Sequence, residues 1–501
     1  MRAMVPFLGM GILLLICFSS SHPQPRMTDT GQTNLARNQS SDVPVRGIYA
    51  PDPDHIWDRL FRLFYVRHDR NGRQHGGDEL DPYLWVDTKY LLSGSSHDEA
   101  LKLLDEFLQQ HSERLITDSL KRALFQRDLL AINDWVSSPS DEQVQGRSEL
   151  QKRVTEVIRR LALTEDQTRK LPDNYEDAIR AHEFPTSYDP ADPQRPFLPA
   201  DLFDPKGPWV CLGEQHGRPV ASDHLEFFNG RSIFLVFFQV PGGRAKTLAY
   251  LAKLRKIPKT WGPNPDLRPL VRDGQADLAG LVPYPEPPQF PIGTRMALIR
   301  QMVLISSSGQ PMATRLTESV QMRVYRAIHF DLGGTGTHSQ DFFELRLNRE
   351  GLLSGQAGGL RAVAPGERDF AVFRSHGNDV FEDEKEKPES WEGTVLDTCS
   401  ACHENSGMHS FISYSRYRFG AGTGLPPKLI ASSPSEETAA QIRWVIQHHK
   451  PALVSRSPNR TCRLSRLVRG REGGRNSATI SLLNRVLNIS GIISYAARPR
   501  N

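Results

Sequence analysis

Between Pro185 and Pro208 the chain carries seven prolines, and the hydrophobic pattern on the two sides of this stretch has a different period. Proline fixes φ and lacks an amide hydrogen, so this density excludes regular structure and marks a connection. Before it, from Asp52 to Phe184, apolar residues recur at helical spacing. One stripe is Leu101, Leu104 and Leu108, preceded by Ser96-His97-Asp98-Glu99, which has the form of a capping box. A second is Phe125, Leu129, Ile132 and Val136. A third is Leu150, Val154, Val157, Ile158 and Leu161, with Arg and Lys on its other face. Such stripes are core faces.

After the prolines the pattern is that of strands. Ser232–Val240 is a continuous apolar run closed by Pro241-Gly242-Gly243, as expected of a strand covered on both faces. Arg244–Lys253 follows as a helix. A second stretch, with nine prolines from Pro258 to Pro291, leads into a predicted long hairpin, Ala297–Ile305 with Glu318–Arg326. There Val320, Met322 and Val324 alternate with Gln321, Arg323 and Tyr325. Phe343/Leu345/Leu347 and Phe370/Val372 supply further alternating segments. Glu436–Lys450 reads as one more helix. The fold class is therefore α+β, and 501 residues suffice for two to four domains.

The ends differ from this body. Met1–Ser21 has Arg2, an apolar run from Phe7 to Phe18 and then small residues, the form of a secretory signal. The run is well short of the ~20 residues a spanning helix needs, and no later segment qualifies. An acylated Cys17 is disfavoured by the bulky Ile16 before it. Net charge is only +4, too small to imply nucleic acid, but ten arginines and one acid, Glu472, follow Lys450. A solvated, partly disordered tail accounts for that excess, with membrane-surface contact as the alternative.

Chemistry concentrates at Cys399-Ser400-Ala401-Cys402-His403. Two thiols three residues apart can each add to one vinyl group of a single porphyrin. The adjacent imidazole then reaches the iron as proximal ligand. The motif resembles that of c-type cytochromes, and an export signal agrees with it, because haem is attached covalently outside the cytoplasm. The resemblance covers five residues. It implies one covalent haem c anchored by Cys399 and Cys402, with His403 on the iron, and one-electron transfer with an unidentified redox partner protein. Arg416 and Arg418 are then candidate partners for the propionates, because guanidinium pairs well with carboxylate, or else exposed charges. Phe411, Tyr414 and Tyr417 are candidates to pack on the ring or belong to ordinary core.

The chain departs from common monohaem cytochromes. Met408, the only methionine after the motif, is five residues past His403 and too close to reach the opposite face easily. The sixth position is then open, or taken by His449, which shares a helix face with Ile442, Val445 and Ile446, or by a histidine of the body such as His376. A haem docked against the β-rich body is the expectation, with a peroxidase-like enzyme as a variant. The competing class is a secreted, haem-free binding or scaffold protein whose Cys399 and Cys402 form a disulfide. Zinc on Cys399, Cys402 and His409 lacks an evident fourth ligand. Cys211 and Cys462 are left over, and in an oxidising compartment two such thiols can pair.

Other signatures fail. Gly333-Gly334-Thr335-Gly336 lacks a dinucleotide loop's third glycine. His68-Asp69-Arg70-Asn71-Gly72 starts like a calcium loop but has Gln74 at the turn and Leu80 where a glutamate belongs. The resulting division is 1–21 signal peptide, 22–50 disordered leader, 51–184 helical domain and 185–208 proline-rich linker. Then come 209–381 β-rich domain, 390–450 small haem-c segment and 451–501 basic tail.

Overall fold

The computed structural model describes residues 47–448 except 69–73, 79, 82–89, 138–145, 257–260, 264–280, 284–288, 329–339, 357, 370–392, 397–402, 404–406 and 411–427. These residues belong to one unit, Arg46–Asn501. Its centre is a seven-stranded antiparallel sheet. The strands are β1 (Val210–Glu214), β2 (Ser232–Gln239), β3 (Arg295–Ile305), β4 (Pro311–Tyr325), β5 (Gln340–Leu347), β6 (Leu360–Ala362) and β7 (Leu429–Ser432). In space they run β6-β5-β4-β3-β2-β1-β7. The architecture is α+β.

The apolar run that became β2 is buried along its length, because its alternate side chains enter two different cores. Leu235 and Phe237 meet Ile299, Val320, Met322 and Leu345 on one face. That face is closed by Tyr188, Phe197, Leu198 and Leu202, from the segment the prolines keep free of helix and strand. Phe234, Val236 and Phe238 meet Met296 and Tyr325 on the other. The helices α1 (Ile56–Tyr65), α2 (Gly94–Gln109), α3 (Ser119–Ser137), α4 (Gly146–Leu161), α5 (Glu165–Arg169), α6 (Asn174–Arg180), α7 (Ser222–Phe227), α8 (Gly243–Leu254), α9 (Arg349–Leu353) and α10 (Pro434–His448) surround the sheet. Tyr250, Leu251 and Leu254 of α8 and Val445 of α10 cover the second face. No helix among the described residues is long and apolar enough to cross a membrane.

Helices α1 to α4 bury a third core, and Met302, Leu304, Ile305 and Leu316 of the β3–β4 hairpin belong to it. The expected stripes of α3 and α4 are buried as read. One local reading needs correction. The Ser96 capping box does not form: α2 starts at Gly94, and the Ser96 hydroxyl accepts from the Leu91 amide at 3.0 Å instead. The Leu101/Leu104/Leu108 stripe of α2 packs on this core, Leu104 fully buried with Ala100, Leu103 and Phe107, and Leu101 and Leu108 partly buried against them.

The β3–β4 hairpin turns at Ser306–Gln310, with Gly309 at φ +80°, a conformation glycine takes without steric cost. Its ladder is interrupted: Arg300 faces Ser319 and Gln301 faces Thr317, which leaves Glu318 as an extra residue. This bulge re-aims Glu318 into the protein. There it meets Arg127 of α3 at 2.7 Å and Arg300 at 2.7 Å. The segment Phe370/Val372 lies outside the described residues.

Candidate functional site

On the second face of the sheet, α7 and the segment ending at Ser410 frame a half-open cleft. Its volume is about 60 Å3, and His403 lines it. The walls are largely apolar: Val220 and Ala221 ahead of α7, Val236 of β2, Met296 and Leu298 of β3, and Phe342 of β5. Asp223, His224, Gln321 and Arg323 add the polar groups. Gln321 and Arg323 are the residues that alternate with Val320, Met322 and Val324 along β4. The period-two pattern sends the aliphatic set to one core and this polar set to the cleft.

His403 is half-buried and held at two points. Its carbonyl accepts a 2.7 Å bond from the side-chain amide of Gln340, the first residue of β5. Its Nδ1 lies 2.7 Å from the backbone carbonyl of Ser410. A carbonyl oxygen only accepts, so Nδ1 carries a proton and Nε2 is the nitrogen that holds the lone pair when the ring is neutral. Ser410 is fully buried and fixed in turn. Its hydroxyl lies 2.5 Å from the Tyr325 hydroxyl and bonds the Gly407 carbonyl at 2.8 Å. Arg323 donates to the same Ser410 carbonyl at 3.3 Å and to its hydroxyl at 3.2 Å. Burial pushes the Tyr325 hydroxyl above its ordinary value, against the opposing pull of Arg323 and the Ser410 bond.

Across from His403, with ring centres 6.3 Å apart and planes 16° apart, is His224 of α7. Its other neighbour is Phe234 of β2, at 5.1 Å and 28°. Burial lowers the His224 pKa to about 4, with Arg323 and Arg300 adding to the effect and Asp223 opposing it. The imidazole is therefore neutral at physiological pH.

Of the residues the sequence singles out, His403 is the one placed in this cleft. Cys399, Cys402, Arg416, Arg418, His449 and His376 lie outside the described residues. His409 falls in the short helical turn Gly407–Ser410. Met408 is fully buried beside Phe290, Met296 and Val445, and its amide donates to Gln289 Oε1 at 3.1 Å. Cys211 is buried in β1, where desolvation and the carboxylates of Glu437 and Glu436 push its thiol up. Its possible partner Cys462 is outside the described residues.

His224, Gln340 and Ser410 carry no signal in the sequence. They come from three separate stretches and belong to no motif. Arg323 is visible only as one of the polar residues in an alternating strand. Among the described residues no three His, Cys, Asp or Glu side chains gather as they would around a bare metal ion. The cleft brings together an imidazole with its Nδ1 tied to a carbonyl, an apolar wall and a guanidinium, donor types that can hold an iron and a carboxylate, in a space of about 60 Å3. Comparison of the chain with family models, curated proteins and solved structures finds no match to any of them.

Proposed function

We propose that this chain is an exported protein that carries one haem c and transfers single electrons. The observation that carries the reading is the Ser410 carbonyl held on His403 Nδ1 at 2.7 Å. Histidines that bind metals characteristically donate their other ring N–H to a carbonyl or carboxylate, which fixes the tautomer and raises the basicity of the ligating nitrogen. His403 follows a Cys-x-x-Cys pair, so the motif and the tautomer independently favour the same Nε2 as the iron ligand.

Each residue then has a task. Cys399 and Cys402 would hold the haem through thioethers, and His403 would hold its iron. Gln340, Ser410, Tyr325 and Arg323 keep the imidazole in one orientation. Val236, Leu298 and Phe342 would supply the apolar wall beside it. Arg323 offers a guanidinium of the kind that pairs with a propionate. When bound, the haem supplies a one-electron ferric–ferrous couple.

The test is mass spectrometry of the exported full chain with a visible spectrum of the same sample. The expected result is one porphyrin adduct on the peptide holding Cys399 and Cys402, with a Soret band that survives acid–acetone extraction. The Cys399→Ser/Cys402→Ser double variant should lose the adduct. A colourless, adduct-free protein with Cys399 joined to Cys402 would establish the scaffold reading instead.

A further inference from the structure

We propose that the cleft binds a short-chain monocarboxylate of the size of propionate, held by Arg323 and His224. Such a site goes beyond the haem reading and needs no porphyrin. Arg323 of β4 is half-buried and lines the cleft. Its guanidinium bonds the Ser410 carbonyl and hydroxyl at 3.3 and 3.2 Å and the Met296 sulfur at 3.5 Å. All three acceptors are neutral, and the five N–H groups of a guanidinium leave donors over. Among the described residues no carboxylate pairs with it. Arg300 on the neighbouring strand differs, since both Asp81 and Glu318 pair with it. A half-buried guanidinium without a counter-charge costs free energy that an arriving anion offsets.

His224 lines the same cleft and packs on Phe234, yet among the described residues its ring makes no hydrogen bond. A neutral imidazole carries one N–H and can donate it to a carboxylate. Val236, Leu298 and Phe342 offer an apolar surface to an alkyl group. A lining with one charged end and one apolar wall selects an alkyl carboxylate, because an inorganic oxyanion would leave the wall bare. The volume of about 60 Å3 is about twice the ~30 Å3 that a water takes up in the liquid, so a few heavy atoms fit. Asp223 is the acid among the described lining residues, and its charge disfavours a second carboxylate on the ligand.

The experiment titrates propionate into the full exported chain, read by calorimetry and by saturation-transfer NMR of the propionate methyl. A Kd on the order of 1 mM is expected. Propionamide, which lacks the charge, and succinate, which carries a second one, should bind at least ~10-fold more weakly. Arg323→Met should weaken propionate binding by a similar factor, and Arg323→Lys should keep part of it. Arg315→Met, at an exposed arginine of the same strand, should change nothing. If Arg323→Met does not fold, Leu298→Phe is the variant to read, because it fills the cleft and keeps the guanidinium. It should lose the binding. No binding by wild type, equal affinity for propionamide, or binding that survives Leu298→Phe or a folded Arg323→Met overturns the site. The Cys399→Ser/Cys402→Ser double variant should bind propionate as wild type does. Binding by that variant alone, with porphyrin on the wild type, gives the cleft to a propionate of the haem and overturns the free-ligand assignment. Absence of porphyrin from a wild type that binds propionate is the separate failure of the haem reading and leaves the site standing.

Discussion

A histidine beside two cysteines has no special chemistry until something decides which nitrogen holds the proton. Here a buried serine does so through its backbone, and the side chains around that serine hold it in place. The Tyr325 hydroxyl is the deepest of these, 2.5 Å from Ser410 Oγ. Tyr325→Phe should therefore cost about 1–2 kcal/mol, since it removes one buried bond while the Ser410 hydroxyl keeps the Gly407 carbonyl. Urea unfolding of the two proteins measures it, and equal midpoints would mean that the hydroxyl pair adds nothing. At this scale the sequence displays His403 openly, because three spaced residues suffice to declare the motif. It hides His224, which lines the same cleft but belongs to no motif.

Among the elements, one device recurs. Three buried amide side chains stand in for a missing strand, each bonding both the N–H and the C=O of one sheet residue. Gln126 of α3 takes Ile305, Asn174 of α6 takes Thr317, and Gln441 of α10 takes Phe234. The reason is topological. β1 pairs with β2 only at Phe238 and Phe237, which leaves the edge at Phe234 bare. Gln441 fills it with bonds of 2.7 and 2.6 Å. Gln441→Leu should destabilise the protein by about 2–5 kcal/mol, because it strands two buried backbone groups. A leucine of similar size keeps the packing, so a change in denaturation midpoint reports the lost bonds. A loss under about 1 kcal/mol would mean that water replaces the amide. Helical periodicity reveals the apolar faces of α3 and α4 but not these docking amides, which look like surface residues until a sheet edge meets them.

For the whole molecule, the helical part and the sheet are joined by charge as well as by shared core. Arg127 of α3, fully buried, meets Glu318 at 2.7 Å and Asp81 at 2.9 Å. Arg231 reaches Asp81 at 2.9 Å and Asp134 at 2.5 Å, and Arg300 pairs with Asp81 as well. Nearby, Arg349 of α9 binds Asp128 of α3 at 2.6 Å. Burial alone would raise the Asp81 carboxyl, but Arg127, Arg300 and Arg231 outweigh it and hold it well below the ordinary 3.8. A folded value below the unfolded one contributes stability that is whole above the usual carboxylate range. That stability is lost as pH falls through the depressed value. Arg127→Met should cost about 3 kcal/mol at neutral pH, since two buried carboxylates each lose one of their guanidinium partners. It should also move the onset of acid unfolding to higher pH. Denaturant melts from neutral into acid test both parts, and an unshifted acid limb would show that Asp81 does not need Arg127.

The sequence by itself determined the α+β class, the doubly covered strand, the long hairpin and the His403 motif. Each is written in local spacing: a period of two, a period near four, or cysteines set three apart. Only the tertiary structure decided that the proline-rich segment roofs one face of the sheet and that α3 carries buried charge on the side its apolar stripe leaves. It alone brought His403, Ser410, Arg323 and His224 into one cleft. These depend on contacts between residues tens to hundreds of positions apart, and no local pattern encodes which distant side chain will arrive.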